Sequence, residues 1–193
     1  MSEGTLSVNV TCGAPPFQYL WSTGQSTQTI ENLTSGVYSV TVTDNAGNLA
    51  EASTEIVPTI VIPASNPSWA NAISNYNLGY TSLENRTIYV EDKLEINSSY
   101  TFKNATFEFA EGASMHVKEG FECTITDLNG NRSVLKACGS KWQGITVSGK
   151  LLIENSDIFD AYIGISAFSG SNLNIKHANI EGNNGWIGIN LSQ

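Results

Sequence analysis

Apolar and polar residues alternate along much of this chain in short runs. Leu6, Val8 and Val10 are separated by polar residues, and Tyr38, Val40 and Val42 interleave with Val37, Ser39 and Thr41. A period of two is that of a strand with one buried face. Turn-forming clusters punctuate these runs at Gly13-Ala14-Pro15-Pro16, Ser22-Thr23-Gly24, Thr34-Ser35-Gly36 and Asp44-Asn45-Ala46-Gly47. Short strands with such spacing predict a small β-sandwich over residues 1–57, with Trp21 as its core anchor.

Residues 58–84 break the pattern. Pro58, Pro63 and Pro67 interrupt any strand and mark a boundary. Ser68 is placed to cap a short helix carrying Trp69, Ile73 and Tyr76 on one face. The segment reads either as an unstructured linker or, the reading preferred, as a cap over an otherwise unpaired strand edge.

From residue 85 to 193 the chain repeats itself. Trp142-Gln-Gly144-Ile145, Tyr162-Ile-Gly164-Ile165 and Trp186-Ile-Gly188-Ile189 align, with glycine steps of 20 and 24 residues. Leu151 to Ile158 aligns with Leu173 to Ile180 at a step of 22. A unit this small cannot bury its apolar face alone and must stack on its neighbours. Short strands are expected upstream at Thr87–Val90, Leu94–Ile96, Thr106–Phe109, Met115–Val117 and Cys123–Ile125, with Phe102, Phe107, Phe109 and Phe121 filling the core. The fold class predicted is all-β: a small sandwich, then the first coils of a parallel β-helix. The regular leucine and asparagine pattern of a leucine-rich repeat is missing.

Composition narrows the function. Charged residues are 14% of the 193 and the net charge is −9, with no basic cluster. That surface repels phosphate, so nucleic acid is not an expected partner. No apolar run reaches the ~20 residues of a membrane-spanning helix. Met1-Ser2-Glu3-Gly4 lacks the basic and apolar regions of an export leader, which for an exported protein reads as a piece of a longer chain.

The run from Ala14 to Asp44, with Pro15-Pro16-Phe17, Leu20-Trp21-Ser22-Thr23-Gly24, Ile30-Glu31-Asn32-Leu33 and Gly36-Val37-Tyr38-Ser39-Val40-Thr41-Val42-Thr43-Asp44, resembles the SprB repeat of Bacteroidetes surface adhesins. The resemblance implies an immunoglobulin-like (Ig-like) module that serves as a spacer or adhesive unit, without enzymatic activity. Members carry a second cysteine where this chain has Asn48, so it implies that Cys12 has lost its partner. A second, looser resemblance joins Ala105 to Val117 with Ala137-Cys138-Gly-Ser-Lys-Trp142-Gln-Gly144-Ile-Thr-Val147. It is to right-handed parallel β-helix regions of proteins exported by the type IX secretion system, a fold shared with pectate lyases. Together these imply a non-catalytic segment of an extracellular adhesin or surface-structural protein, linked to gliding or attachment, with secretion machinery and a glycan or surface molecule as partners. The alternative is a non-catalytic part of a β-helix polysaccharide lyase or hydrolase whose active site lies elsewhere.

Candidate chemistry is sparse, and no cofactor is expected. If Ile145, Val147, Ile163, Ile165, Ile187 and Ile189 point inward, Trp142, Tyr162 and Trp186 form an outward aromatic file beside Gly144, Gly164 and Gly188. That file reads either as a sugar- or partner-docking strip or as a ladder covered by its neighbours. Cys123 and Cys138 could close a short disulfide loop or be two small buried hydrophobes; their spacing fits no metal motif. Asp157 and Asp160 are the one close Asp pair in the repeats, and solvated turn positions are their default reading. Asp127 to Arg132 echoes a calcium loop, but without its closing Glu a plain hairpin turn is expected. His116 and His177 are read as surface or stacked residues.

Overall fold

A computed structural model describes residues 4–181 and the backbone of 189–191. The chain divides into two compact units, Met1–Pro58 and Thr59–Gln193.

The first unit holds five strands: β1 (Gly4–Ser7), β2 (Gln18–Trp21), β3 (Thr29–Leu33), β4 (Gly36–Thr43) and β5 (Leu49–Ile56). β1 pairs antiparallel with β3, while β4 lies between β2 and β5 in a second antiparallel sheet. One apolar cluster joins the sheets: Trp21, Tyr38, Val40 and Val42 from one, Ile30 and Leu33 from the other. The alternation read along 37–42 is real, with Tyr38, Val40 and Val42 buried and Val37 and Ser39 exposed. Trp21 also donates its indole N–H to the Thr27 carbonyl at 2.8 Å, so its polar atom is satisfied inside the core.

The second unit opens with β6 (Ile60–Ile62) and the helix α1 (Trp69–Asn75). Five turns of chain follow, each with three short strands. They are β7 (Ser82–Glu84), β8 (Thr87–Val90) and β9 (Lys93–Ile96), then β10 (Tyr100–Lys103), β11 (Thr106–Phe109) and β12 (Ser114–Val117). Next come β13 (Glu122–Thr126), β14 (Ser133–Ala137) and β15 (Gly144–Val147), then β16 (Lys150–Glu154), β17 (Ser156–Phe159) and β18 (Ile165–Ala167). The last turn has β19 (Asn172–Lys176), β20 (Asn179–Glu181) and β21 (Ile189–Leu191). Every third strand pairs, so three parallel sheets run along the stack: β7-β10-β13-β16-β19, β6-β8-β11-β14-β17-β20 and β9-β12-β15-β18-β21.

Register explains why these residues form the core. Equivalent positions repeat their apolar character, so each inward side chain sits on one of its own kind. Leu83, Phe102, Ile125, Ile153 and Ile175 stack in the first sheet. Ile60, Ile88, Phe107, Leu135, Ile158 and Ile180 stack in the second. The steps read from the sequence are ladder registers: Ile145 faces Ile165, which faces Ile189, and Leu151 faces Leu173. Phe102, Phe107 and Phe109 are fully buried as expected, whereas Phe121 is half-buried on a turn.

The segment read as a boundary is built into this unit. Ser68 caps α1, its hydroxyl accepting from the Asn71 N–H at 3.3 Å. Trp69 is fully buried, edge-on to Tyr100 and Phe102 at centroid distances of 5.2 and 4.8 Å. The Tyr76 hydroxyl accepts from the Val61 N–H at 3.0 Å, and α1 lies against β6 and β9. The helix therefore covers the first turn of the stack, and what holds it is the apolar face Trp69, Ala72 and Ile73.

Candidate functional site

The expected aromatic file lies on the third sheet, and the strand pairing decides its fate. Trp142 forms a bridge with Ala161, and Ile145 pairs with Ile165. Trp142 and Ile145 are three positions apart while Ala161 and Ile165 are four, so the second segment carries one extra residue. Trp142 lies before β15, beyond Gly144 at φ +102°, so the alternation of β15 does not carry back to it. Trp142 points inward and is fully buried. Its ring stacks on Phe109 at 4.0 Å and 7°, and its indole N–H donates to the Phe159 carbonyl at 2.8 Å. Tyr162 and Ile163 are pushed out, 50% and 42% exposed. The Lys141 ammonium sits 5.6 Å above the Tyr162 ring. The strip of Trp142, Tyr162 and Trp186 is therefore corrected at its first member, which belongs to the core. Trp186 lies outside the described residues.

Gly144 is needed where the extra residue crowds the strand above. Its φ is +102°, and a Cβ there would lie 1.6 Å from the Ile163 carbonyl oxygen. It marks a close approach of two backbones, not a smooth outer strip.

The cysteine pairing also fails. Cys123 points into the core between Tyr100 and Leu151, and Cys138 is exposed just beyond β14. Both thiols are free, as is the exposed Cys12. Burial pushes the Cys123 thiol far above its ordinary pKa, which keeps it neutral and unreactive.

Several charged side chains on the outer faces pair with one another across neighbouring turns. Arg132 donates from Nε to both carboxylate oxygens of Asp157, at 3.0 and 2.9 Å, and from Nη2 to Asp157 Oδ1 at 2.7 Å. The same Nη2 reaches the carbonyls of Ser156 and His177, at 3.0 and 2.9 Å. One arginine thus ties three successive turns together. Asp157 is committed to that pair, while Asp160 sits in a left-handed backbone position with its N–H on the Glu181 carbonyl. The Asp127–Arg132 turn closes as a hairpin, Gly130 N–H donating to Asp127 Oδ2 at 3.0 Å. Elsewhere Glu84 pairs with Lys103, Glu95 with Lys93 and Lys118, and Glu108 with Lys136. The two lysines around Glu95 hold its carboxyl below the ordinary range. His116 Nε2 lies 3.0 Å from the Ser148 hydroxyl; burial first, then Lys93 and Lys118, lower its pKa and favour the neutral ring. Among the described residues, no group of three or more His, Cys, Asp or Glu is placed to hold a metal ion. No helix among them is long and apolar enough to cross a membrane.

One recurrent feature escaped the sequence reading. Between the first and second strands of each of the five turns stands a non-glycine residue with left-handed φ: Asn85, Asn104, Asn129, Asn155 and His177, at 55°, 45°, 54°, 45° and 48°. Asn is the non-glycine residue that best tolerates this conformation. Their side chains continue the stacking: Asn104 Nδ2 donates to Asn85 Oδ1 at 2.7 Å, and Asn155 Nδ2 to Asp127 Oδ1 at 2.9 Å. The signal was present as Asn between two β-rich runs, but its irregular spacing hid it. In the first unit a comparable knot surrounds Asp44. It accepts from the N–H groups of Ala14, Ala46 and Asn48 and from Asn48 Nδ2, at 2.9–3.1 Å. These bonds, that of the Asn48 side chain foremost, hold its carboxyl down at about 2.

Comparison with known proteins finds no matching family model, no matching curated protein and no matching solved structure.

Proposed function

We propose that this chain is a non-catalytic segment of an extracellular bacterial surface protein, whose role is to extend and display binding surfaces. In this reading residues 1–57 are an Ig-like module of the SprB-repeat kind. The stack that follows is a right-handed parallel β-helix of a type IX secretion substrate, acting in attachment or gliding with a glycan or surface partner. The observation that supports it best is the pairing of outer charges along the stack. Glu84–Lys103, Glu95–Lys118, Glu108–Lys136 and Asp157–Arg132 each bridge adjacent turns. Such pairs brace a rod, whereas an acid–base site needs carboxylates converging on a common point. Labelling intact source cells with a membrane-impermeant amine reagent tests the location. Modification of the full-length protein without lysis is expected; labelling only after lysis overturns the reading.

A further inference from the structure

We propose that the free edge of β5 is a docking site for an extended strand of a partner polypeptide with basic side chains at alternate positions. Among the described residues β5 pairs with β4 alone, and its other edge carries no strand. It is the most exposed long strand of the unit, with Leu49 to Glu55 all exposed. Its two faces follow from its register. Ala50, Ala52 and Thr54 lie opposite Val42, Val40 and Tyr38, so they belong to the core face. Yet those three β4 side chains are buried while their β5 neighbours are not. The core face is thus covered over β4 and uncovered over β5.

What remains over β5 is a groove. Two adjoining hollows, of about 440 and 220 Å³, share Val8, Val40 and Ala52. Half-buried Val8, Val10 and Phe17 form the wall opposite Ala50 and Ala52. The small alanines leave room for the large apolar side chains of an added strand. That strand would take its main-chain hydrogen bonds from the β5 edge.

The outer face selects the occupant by charge. Glu51 and Glu55 stand on it four residues apart, with Ser53 between them. Lysine or arginine at the outward positions of the incoming strand, which are its alternate residues, would face Glu51 and Glu55. A second copy fits less well. Antiparallel pairing of β5 with itself, centred on Glu51, Ser53 or Glu55, sets carboxylate against carboxylate. This inference does not depend on the proposed function, since it concerns what the first unit binds wherever it acts.

The test uses the whole chain and three fluorescent nine-residue peptides. One alternates Lys with Val, one replaces its central Val by Pro, and one alternates Glu with Val. Anisotropy should show saturable binding of the Lys–Val peptide and at least about tenfold weaker binding of the Pro peptide, which cannot complete the strand. Glu51→Lys with Glu55→Lys alters only exposed positions. It should weaken the Lys–Val peptide by about tenfold and make the Glu–Val peptide the better ligand. Equal binding of the Lys–Val and Pro peptides, or no binding of the Lys–Val peptide at millimolar concentration, overturns the proposal. So does a dimer in light scattering that the double substitution abolishes, because the occupant would then be a second copy.

Discussion

Replacing Trp142 by alanine separates a core residue from a surface ligand-binding one. The side chain is fully buried, stacked on Phe109 at 4.0 Å, with its indole N–H on the Phe159 carbonyl. Truncating a buried Trp costs about 3–5 kcal/mol through lost transfer energy and the cavity left behind. The Phe159 carbonyl also loses its indole donor, which puts the expected value in the upper part of that range. Trp142→Phe keeps most of the stacking and removes the donor, so about 1–3 kcal/mol is expected. Tyr162→Ala is the internal control: half exposed and outside the register, it should cost within about 0.5 kcal/mol. Urea unfolding followed by far-ultraviolet circular dichroism measures all three, with the denaturant slope checking that the unfolding reaction is unchanged. If Trp142→Ala costs no more than Tyr162→Ala, the inward placement of Trp142 is refuted.

Other expectations follow from the same geometry. Gly144→Ala should destabilise the stack by more than about 2 kcal/mol, since the new Cβ collides with a backbone oxygen at positive φ, whereas Gly120→Ala, with open space around it, should cost only about 1 kcal/mol. Thermal denaturation of the two variants should rank them in that order, and equal midpoints would count against the close approach at Gly144. Mass spectrometry after treatment with a thiol reagent should find Cys12 and Cys138 modified in the folded protein and Cys123 only after unfolding; a species two hydrogens lighter would reveal a disulfide instead. Asp44 has a folded pKa below its ordinary value, so its contribution is present above about pH 4 and lost as pH falls towards about 2. Over that window Asp44→Asn should flatten the acid dependence of first-unit stability, and an unchanged acid profile would argue against the knot.

Much of the fold was legible because period-2 alternation and stacked repeats both leave traces in the sequence. The steps of 20, 24 and 22 residues were the true ladder registers because like residues sit on like residues in successive turns. Ser68 and the spacing of Trp69, Ile73 and Tyr76 were enough to place α1, since caps and helical faces are local. The aromatic file was misread for an equally physical reason. Strict alternation carried back from Ile145 puts Trp142 outward, but the left-handed backbone at Gly144 ends that alternation, and the extra residue after Ala161 leaves Tyr162 out of register with Trp142. The cysteines misled because closeness in sequence says nothing about facing, and Cys123 and Cys138 face opposite environments. Asn85, Asn104 and Asn155 stand between β-rich runs, but their irregular spacing hides the left-handed angle and the contacts with other turns that give them their role. The open edge of β5 was invisible because its alternation is that of an ordinary paired strand.

If the stack holds binding surfaces away from the cell, as proposed above, attachment of the cells depends on it. The most direct test is the attachment of source cells under shear when residues 59–193 are deleted from the full-length protein, with surface labelling confirming that the shortened protein is still exported. Loss of attachment with export intact is the predicted result. Attachment as strong as that of the unaltered cells would contradict the claim.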